Sequence, residues 1–312
     1  MRREYLKVLA LALIVWGVYL GMQNDYLFNV LTIAGLQALV VLGLSLLMGY
    51  AGQVSLGHAA FYGLGAYTTG ILSAKYGVSP LWGILLAQGL TLTVAFLIGL
   101  PSLKLRGHYL AVATLGFGVI VEVLLKESVN LTGGPSGLVG IAPLSIGTYT
   151  LTSFKGYYIL VWSVLLFFLL LALHLVHSPM GRALLALHDS ESALRSLGYR
   201  VHRLKLGIFL FSAGLAALSG SLYAHFVTFI SPYTFNFLHS VAFVTMVVIG
   251  GIASLWGALG GTVFLSILPE VLSLFEDYEV VIFGMILILV MIFTPEGLIS
   301  GLEKRLWRFA KS

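Results

Sequence analysis

The side chains that could do chemistry are few and mostly solitary. His174 and His177 lie three apart, a helical spacing that puts two rings on one face where a metal ion could bridge them. No acid or third histidine stands beside them, so placement at a membrane–water boundary is the plainer reading. His58, His108 and His225 are single histidines without ligand-type neighbours. Glu122 stands four residues before Lys126, the spacing at which a carboxylate and an ammonium on one helix meet. Inside an apolar stretch such a carboxylate is a candidate for a translocation pathway, because ionisable groups in lipid are costly and tend to be functional. A structural pair near the outer surface is the competing reading. Nothing has the arrangement of a catalytic triad. The absence of cysteine excludes disulfides, thiol nucleophiles and Cys-ligated metal centres. There is no G-x-x-x-x-G-K-[ST] loop either, so the chain shows no means of cradling nucleotide phosphates. The expectation is a non-enzyme with no metal and no cofactor of its own.

The stretch from Gly49 to Gly65 is dense in glycine and sets Gly52, Gln53, Ser55, Gly57 and His58 in otherwise apolar territory. Two readings stand. One is a broken helix whose freed backbone lines a pathway, as discontinuous helices do in transporters. The other is close helix packing through small residues, with Gln53 and Ser55 bonding across the interface. Gly250, Gly251, Gly257, Gly260 and Gly261 share that ambiguity.

The segment from Ser178 to Gly198 carries the clearest local signals. Ser178 then Pro179 is a helix start, a capping hydroxyl followed by proline at the first helical position. Asp189 or Ser190 can cap a second short helix, with Glu191 in its first turn and Arg195 near its end. Gly198 stands where a left-handed residue ends a helix. Leu184, Leu187, Leu194 and Leu197 recur at helical spacing and predict one apolar face for the pair. Such a face serves either a connector lying on the membrane or an element that docks a cytoplasmic partner.

These residues need elements to hold them. Of the 312 residues 59% are hydrophobic and 9% charged, and the mean hydropathy is +1.01. A soluble domain carries about a quarter charged residues to wet its surface; this chain cannot. The net charge is +5, but the cations lie between apolar segments, so they orient helices rather than bind nucleic acid. Polar and Gly/Pro breaks divide the chain into about ten predicted spans: 5–22, 27–48, 58–74, 82–100, 108–126, 157–177, 206–229, 239–254, 256–275 and 279–295. The first is read as a retained span, since its apolar stretch is long and no cleavage site follows. The fold class expected is all-α, a polytopic transmembrane bundle forming one domain over 1–312. Arg2, Arg3 and Lys7, then Lys104 and Arg106, then Arg182, Arg195, Arg200, Arg203 and Lys205, then Lys304, Arg305, Arg308 and Lys311 fall on one side. That side is cytoplasmic and holds both termini. The internal loop is then 178–205 and the external loop 127–156. The external loop, with its Gly133-Gly134-Pro135 turn, either touches an outside partner or forms a re-entrant turn at the mouth.

The run Gly181-Arg182-Ala183, Glu191, Ala193, Leu197-Gly198-Tyr199 and Lys205 resembles membrane subunits of branched-chain amino-acid ABC transporters, of the LivM type. Further runs carry the likeness: 49–61, Leu105-Arg106-Gly107-His108-Tyr109-Leu110-Ala111, 132–138, 212–224, Gly250-Gly251, Trp256-Gly257 and Pro295-Glu296-Gly297-Leu298. The resemblance implies a permease of a bacterial cytoplasmic membrane that imports branched-chain, hydrophobic amino acids, with the vitamin-B12-type (type II) helical arrangement. It implies as partners a second homologous permease, two ABC ATPase subunits that bind ATP and Mg, a periplasmic or lipid-anchored amino-acid-binding protein and membrane lipid. The ATPase-coupling loop would comprise Gly181, Arg182, Ala183, Leu187, Asp189, Glu191, Ala193, Leu197 and Gly198. It departs from the EAA loop of other importers in reading Glu191-Ser192-Ala193 and in placing its glycine one residue later. A urea or short-amide permease of the same superfamily is the nearest alternative. An ion-coupled secondary transporter is the more distant one, and would ordinarily need membrane-embedded carboxylates beyond Glu122.

Overall fold

In the computed structural model, residues 2–105, 107–146 and 149–272 are described, with single positions 282, 284, 285, 288, 292 and 297. Apart from those single positions the predicted span 279–295 lies outside the described residues, as do the run Glu276-Asp277-Glu279 and the basic residues after 300.

Apart from a two-residue hairpin (β1 Ser145–Ile146, β2 Tyr149–Thr150), the described fold is helical. The long helices are α1 (Arg2–Gly21), α2 (Asp25–Ser45), α3 (His58–Tyr76), α4 (Pro80–Ser102), α5 (His108–Glu127), α7 (Phe154–His177), α10 (Val201–Val227), α11 (Phe237–Gly250) and α12 (Leu255–Leu272), and the short ones are α6 (Val129–Thr132), α8 (Pro179–Asp189) and α9 (Glu191–Ser196). Seven of these are long and apolar enough to cross a membrane: α1, α2 with its continuation, α4, α5, α7, α10 and α12. Helix α3 occupies the third predicted span but is more polar, and α11 is a shorter apolar helix.

Sequence dictates the ends. Asn24 caps α2 by accepting from Tyr26 N–H at 3.0 Å, and Pro80 opens α4 after Ser79. Helix α10 begins at Val201 rather than 206, so Lys205 belongs to its first turns instead of to the preceding loop. The segment expected to be external is shorter and more ordered than a plain loop. It forms α6 and a turn over Gly134–Ser136, then bonds along Ile230, with Leu138 N–H donating to Ile230 O at 2.8 Å. Leu144 N–H donates to Tyr157 Oη, which in turn donates to His225 O, each at 2.8 Å.

Helix α2 is central. In it and its continuation 83% of the apolar window is buried, against 11% in the peripheral α1. Around α2 stand α7, α10 and α12, while α10 also crosses α3 and α4. The α3–α10 crossing is unusually close: a Cβ on Gly65 would overlap Ala217 O, and one on Gly220 would overlap Tyr62 O. Without a hydrophobic drive between helices in lipid, small residues that let backbones approach are what holds such a pair. Ser221 Oγ adds a bond to Gly65 O at 3.1 Å, and Ser219 Oγ one to Leu36 O at 2.6 Å.

Candidate functional site

The segment from 178 to 200 is two capped helices folded back on the bundle. Ser178 Oγ accepts from Met180 and Gly181 N–H at 3.1 and 3.3 Å, and Ser190, rather than Asp189, caps α9 through Ala193 N–H at 3.3 Å. Gly198 is left-handed at φ 84°. Any side chain on Gly181 would overlap Val176 O, so this glycine lets α8 turn tightly off α7. Glu191 joins the segment to α10, its carboxylate lying 2.9 Å from Lys205 Nζ and 2.9 Å from Arg195 Nη2.

The residues expected in the coupling loop divide between two faces. Gly181, Ala183, Leu187, Leu184 and Leu194 are buried against the bundle, and Glu191 is mostly so. Arg182, Asp189, Ala193, Leu197 and Gly198 are exposed, together with Met180 and Leu185. The expected single leucine face is corrected at Leu197, which is 74% exposed. Helix α9 ends at Ser196, and the turn into Gly198 takes Leu197 out of helical register.

The glycine-dense stretch is a break. Helix α2 widens into a π-helical turn over Leu46–Tyr50. It then stops at Gly52, which takes φ 65°, the left-handed conformation of a helix end. Gln53 N–H closes onto Leu47 O at 3.0 Å. Residues 51–57 run without helical structure, and α3 starts only at His58. Ser212, which meets His58, sits roughly 16 Å along α10 from Val201 at the helical rise, so α3 begins deep inside the bundle.

Hydroxyls from two other helices satisfy freed backbone N–H groups there, as nonhelical backbone in a membrane requires, and a hydroxyl from a third bonds the His58 ring. Leu56 N–H donates to Thr114 Oγ1 of α5 and Ala59 N–H to Ser240 Oγ of α11, both at 3.0 Å. The His58 ring bonds Ser212 Oγ of α10 at 2.7 Å and Ser55 Oγ at 3.1 Å. A Cβ on Gly57 would come 2.7 Å from Thr114 O. Ser55, Gly57 and His58 are thus brought together, and Thr114, Ser212 and Ser240 join them. Sequence reasoning missed these three, since single hydroxyls in apolar helices carry no spacing signal.

Gly52 and Gln53 lie apart from that cluster, where the break meets α8. A Cβ on Gly52 would stand 3.2 Å from His188 Nδ1 and 3.3 Å from its Cα, so backbone touches backbone closely. A Cβ on Gly49 would overlap Ile252 O, which pins the same end of α2 to the turn between α11 and α12. The packing reading, in which Gln53 bonds across a helix interface, does not hold at this residue: its buried amide has no partner on either polar atom. Beside it a cavity of about 180 Å³ opens between the break, α8, α9 and Lys205.

Glu122 joins neither group. It pairs with Lys126 at 2.7 Å, and Lys126 stands over the Tyr233 ring at 4.6 Å. That is roughly 18 Å along α5 from Leu110 at the cavity. His174 bonds Tyr5 Oη at 2.8 Å and Leu170 O at 2.7 Å, while His177 bonds Leu173 O. Among the described residues neither histidine belongs to a group of three or more side chains that could hold a metal ion.

A family model described as the permease component of the branched-chain amino acid transport system matches residues 26–291. The chain belongs to this family. Its relatives include the high-affinity branched-chain amino acid permease protein LivM of Escherichia coli K12, 34% identical over 94% of this chain and 75% of that protein. LivM of Salmonella typhimurium is 35% identical over 87% of this chain and 69% of its own length. LivH of Escherichia coli K12, the permease of the other name, is 26% identical over 89% of this chain and 95% of its length. No solved structure matches.

Proposed function

We propose that this chain is one permease subunit of an ATP-driven importer that moves branched-chain amino acids across a bacterial cytoplasmic membrane. The observation that carries the reading is the family match over residues 26–291. The geometry supports it through the helix pair α8–α9, which is anchored on one face and leaves Arg182, Asp189, Ala193 and Leu197 outward for a partner. Two ATPase subunits would dock there and hold ATP and Mg, consistent with the missing phosphate loop. A second permease and an external amino-acid-binding protein complete the assembly, and substrate choice rests largely with the latter.

The same reading makes the chain a single membrane domain of ten passes in the type II arrangement. The shorter α11 and the late-starting α3 count as passes, and the tenth is the span predicted from the apolar sequence at 279–295. The lysine and arginine bias puts both termini and α8–α9 on the cytoplasmic side.

The deciding experiment reconstitutes the chain with its partners in proteoliposomes and follows radiolabelled leucine with and without ATP. ATP-dependent uptake that requires the binding protein is expected. Uptake by this chain alone under a proton gradient would overturn the proposal. Glu191→Lys or Gly181→Leu should reduce co-purification of the ATPases while the helical content holds. Unchanged co-purification in both variants would remove the docking assignment.

A further inference from the structure

Where α8 leaves α7 and α10 begins, a groove of about 410 Å³ opens beside the capped helix pair. Pro179, Met180 and Ala183 of α8 line it together with Leu204 of α10, and Tyr199, Arg200 and Arg203 complete the lining. Both arginines are exposed, and among the described residues neither guanidinium forms an ion pair. The nearby cations Arg195 and Lys205 differ, because Glu191 already engages them. No carboxylate lines the groove, so its charge is positive and uncompensated.

The groove stands at the ends of two helices long enough to cross a membrane, α7 and α10, which puts it near the depth of lipid headgroups. An apolar strip leads away from it. Gly207 and Phe211 follow Leu204 at helical spacing, on the same face of α10 as Arg200 and Arg203. A Cβ on Gly207 would meet nothing within 4 Å, and the Phe211 ring lies 6.5 Å from that of Phe168 on α7. An open track about two turns long therefore joins the guanidiniums to the apolar length of the bundle.

This set selects its occupant. Two guanidiniums without partners call for an anion whose oxygens suit their planar fork, a phosphate above all. A soluble nucleotide would fit the volume, but the lining has no Asp, Glu, Asn, Gln, Ser or Thr to hold ribose hydroxyls or a base edge. The end of this chain carries Lys304, Arg305, Arg308 and Lys311 against Glu303, so its charge opposes entry. The outward residues of the helix pair, Arg182, Asp189, Ala193 and Leu197, do not line the groove, which separates it from the face offered to a protein partner. A lipid with an anionic headgroup meets both halves, phosphate to arginine and acyl chain to strip. Basic pockets beside membrane helices recognise headgroups in this way.

We propose that this groove binds an anionic glycerophospholipid. Its phosphate lies between Arg200 and Arg203, Tyr199 stands at the headgroup level, and one acyl chain runs over Leu204 and Gly207 toward Phe211. The lipid touches α8 through Met180 and Ala183 while it holds the start of α10, so it fastens the helix pair to the bundle from the membrane side. Which leaflet supplies it follows from sidedness; the binding needs only that α7 and α10 cross the membrane.

The test uses the permease with its partner subunits in nanodiscs. These contain a phosphatidylglycerol that bears a diazirine at the start of one acyl chain, and labelled peptides are mapped by mass spectrometry. Saturable label within 179–183 or 199–211 is expected. Unlabelled phosphatidylglycerol should compete it away, whereas phosphatidylcholine, which has no net charge, should not. Arg200→Gln and Arg203→Gln should each weaken labelling about fivefold, and the double variant about thirtyfold, the worth of one and two surface cations facing anionic lipid. Lys104→Gln, which removes an exposed cation outside the groove, should leave it unchanged. Label confined to other regions, equal competition by phosphatidylcholine, or equal loss in K104Q would each overturn the site. Competition by glycerol 1-phosphate as strong as by the lipid would show a soluble phosphate site and overturn it too. Label on the isolated permease that disappears in the complete assembly would mean that a protein partner fills the groove, and would equally overturn it. If the arginine variants do not purify, the wild-type map and the competition series decide alone.

Discussion

At Gly65 and Gly220 a single added methyl group meets a carbonyl oxygen of the facing helix. Alanine there must push α3 and α10 apart, and overpacking of this kind costs about 1–3 kcal/mol. Gly220→Ala is therefore expected to lower the melting temperature of the purified protein, read by intrinsic fluorescence; an unchanged transition would show that the crossing is loose. Gly52 is a different case, because its backbone is left-handed as well as crowded by His188. An L-residue pays roughly 1–2 kcal/mol in that conformation. Gly52→Ala should thus shift the end of α2 against α8 and lower leucine transported per ATP hydrolysed more than it lowers hydrolysis itself. Parallel loss of both rates would place the effect elsewhere.

Among the elements, α9 is the one held by charge rather than by area. Its six residues bury only Leu194, and Glu191 ties it to α10. Removing one partner of a buried pair costs roughly 3–5 kcal/mol, and the lower end applies here because Glu191 keeps 17% exposure at its side chain. Glu191→Gln should raise hydrogen exchange across 190–200 while leaving α2 and α10 protected. The double variant Glu191→Leu with Lys205→Met should recover much of that protection, since no charge is then stranded.

What was legible in the sequence follows from how local the signal is. The caps at Ser178 and Ser190, the left-handed Gly198 and the Glu122–Lys126 pair depend on neighbours within four residues, and each stands as read. Apolar length placed the long helices for the same reason. The π-turn at Leu46–Tyr50, the deep start of α3 and the unbonded Gln53 depend on Thr114, Ser212, Ser240 and His188, which are remote in sequence. Periodicity therefore grouped Leu197 with Leu184, Leu187 and Leu194 on one apolar face, and tertiary context separated it from them.

For the whole molecule, sidedness is the open geometric question with a direct assay, because the sequence contains no cysteine. Single cysteines introduced at Asp189 or Leu197, both exposed, should react with a membrane-impermeant maleimide only in inside-out vesicles. A cysteine at Asn130 on the opposite segment should react only in right-side-out ones. Reaction of both from the same side would refute the orientation.

The contact that pins Gly49 to Ile252 also sets an order of events during synthesis. Ile252 leaves the ribosome about 200 residues after Gly49, which is roughly 10–40 s at 5–20 residues per second. For that interval the Gly49 end of α2 is made but lacks its contact with Ile252, and the insertion machinery or water has to shield that part of its backbone. A chain cut short before 252 would keep that end uncovered, and a cell's quality control would meet it there first.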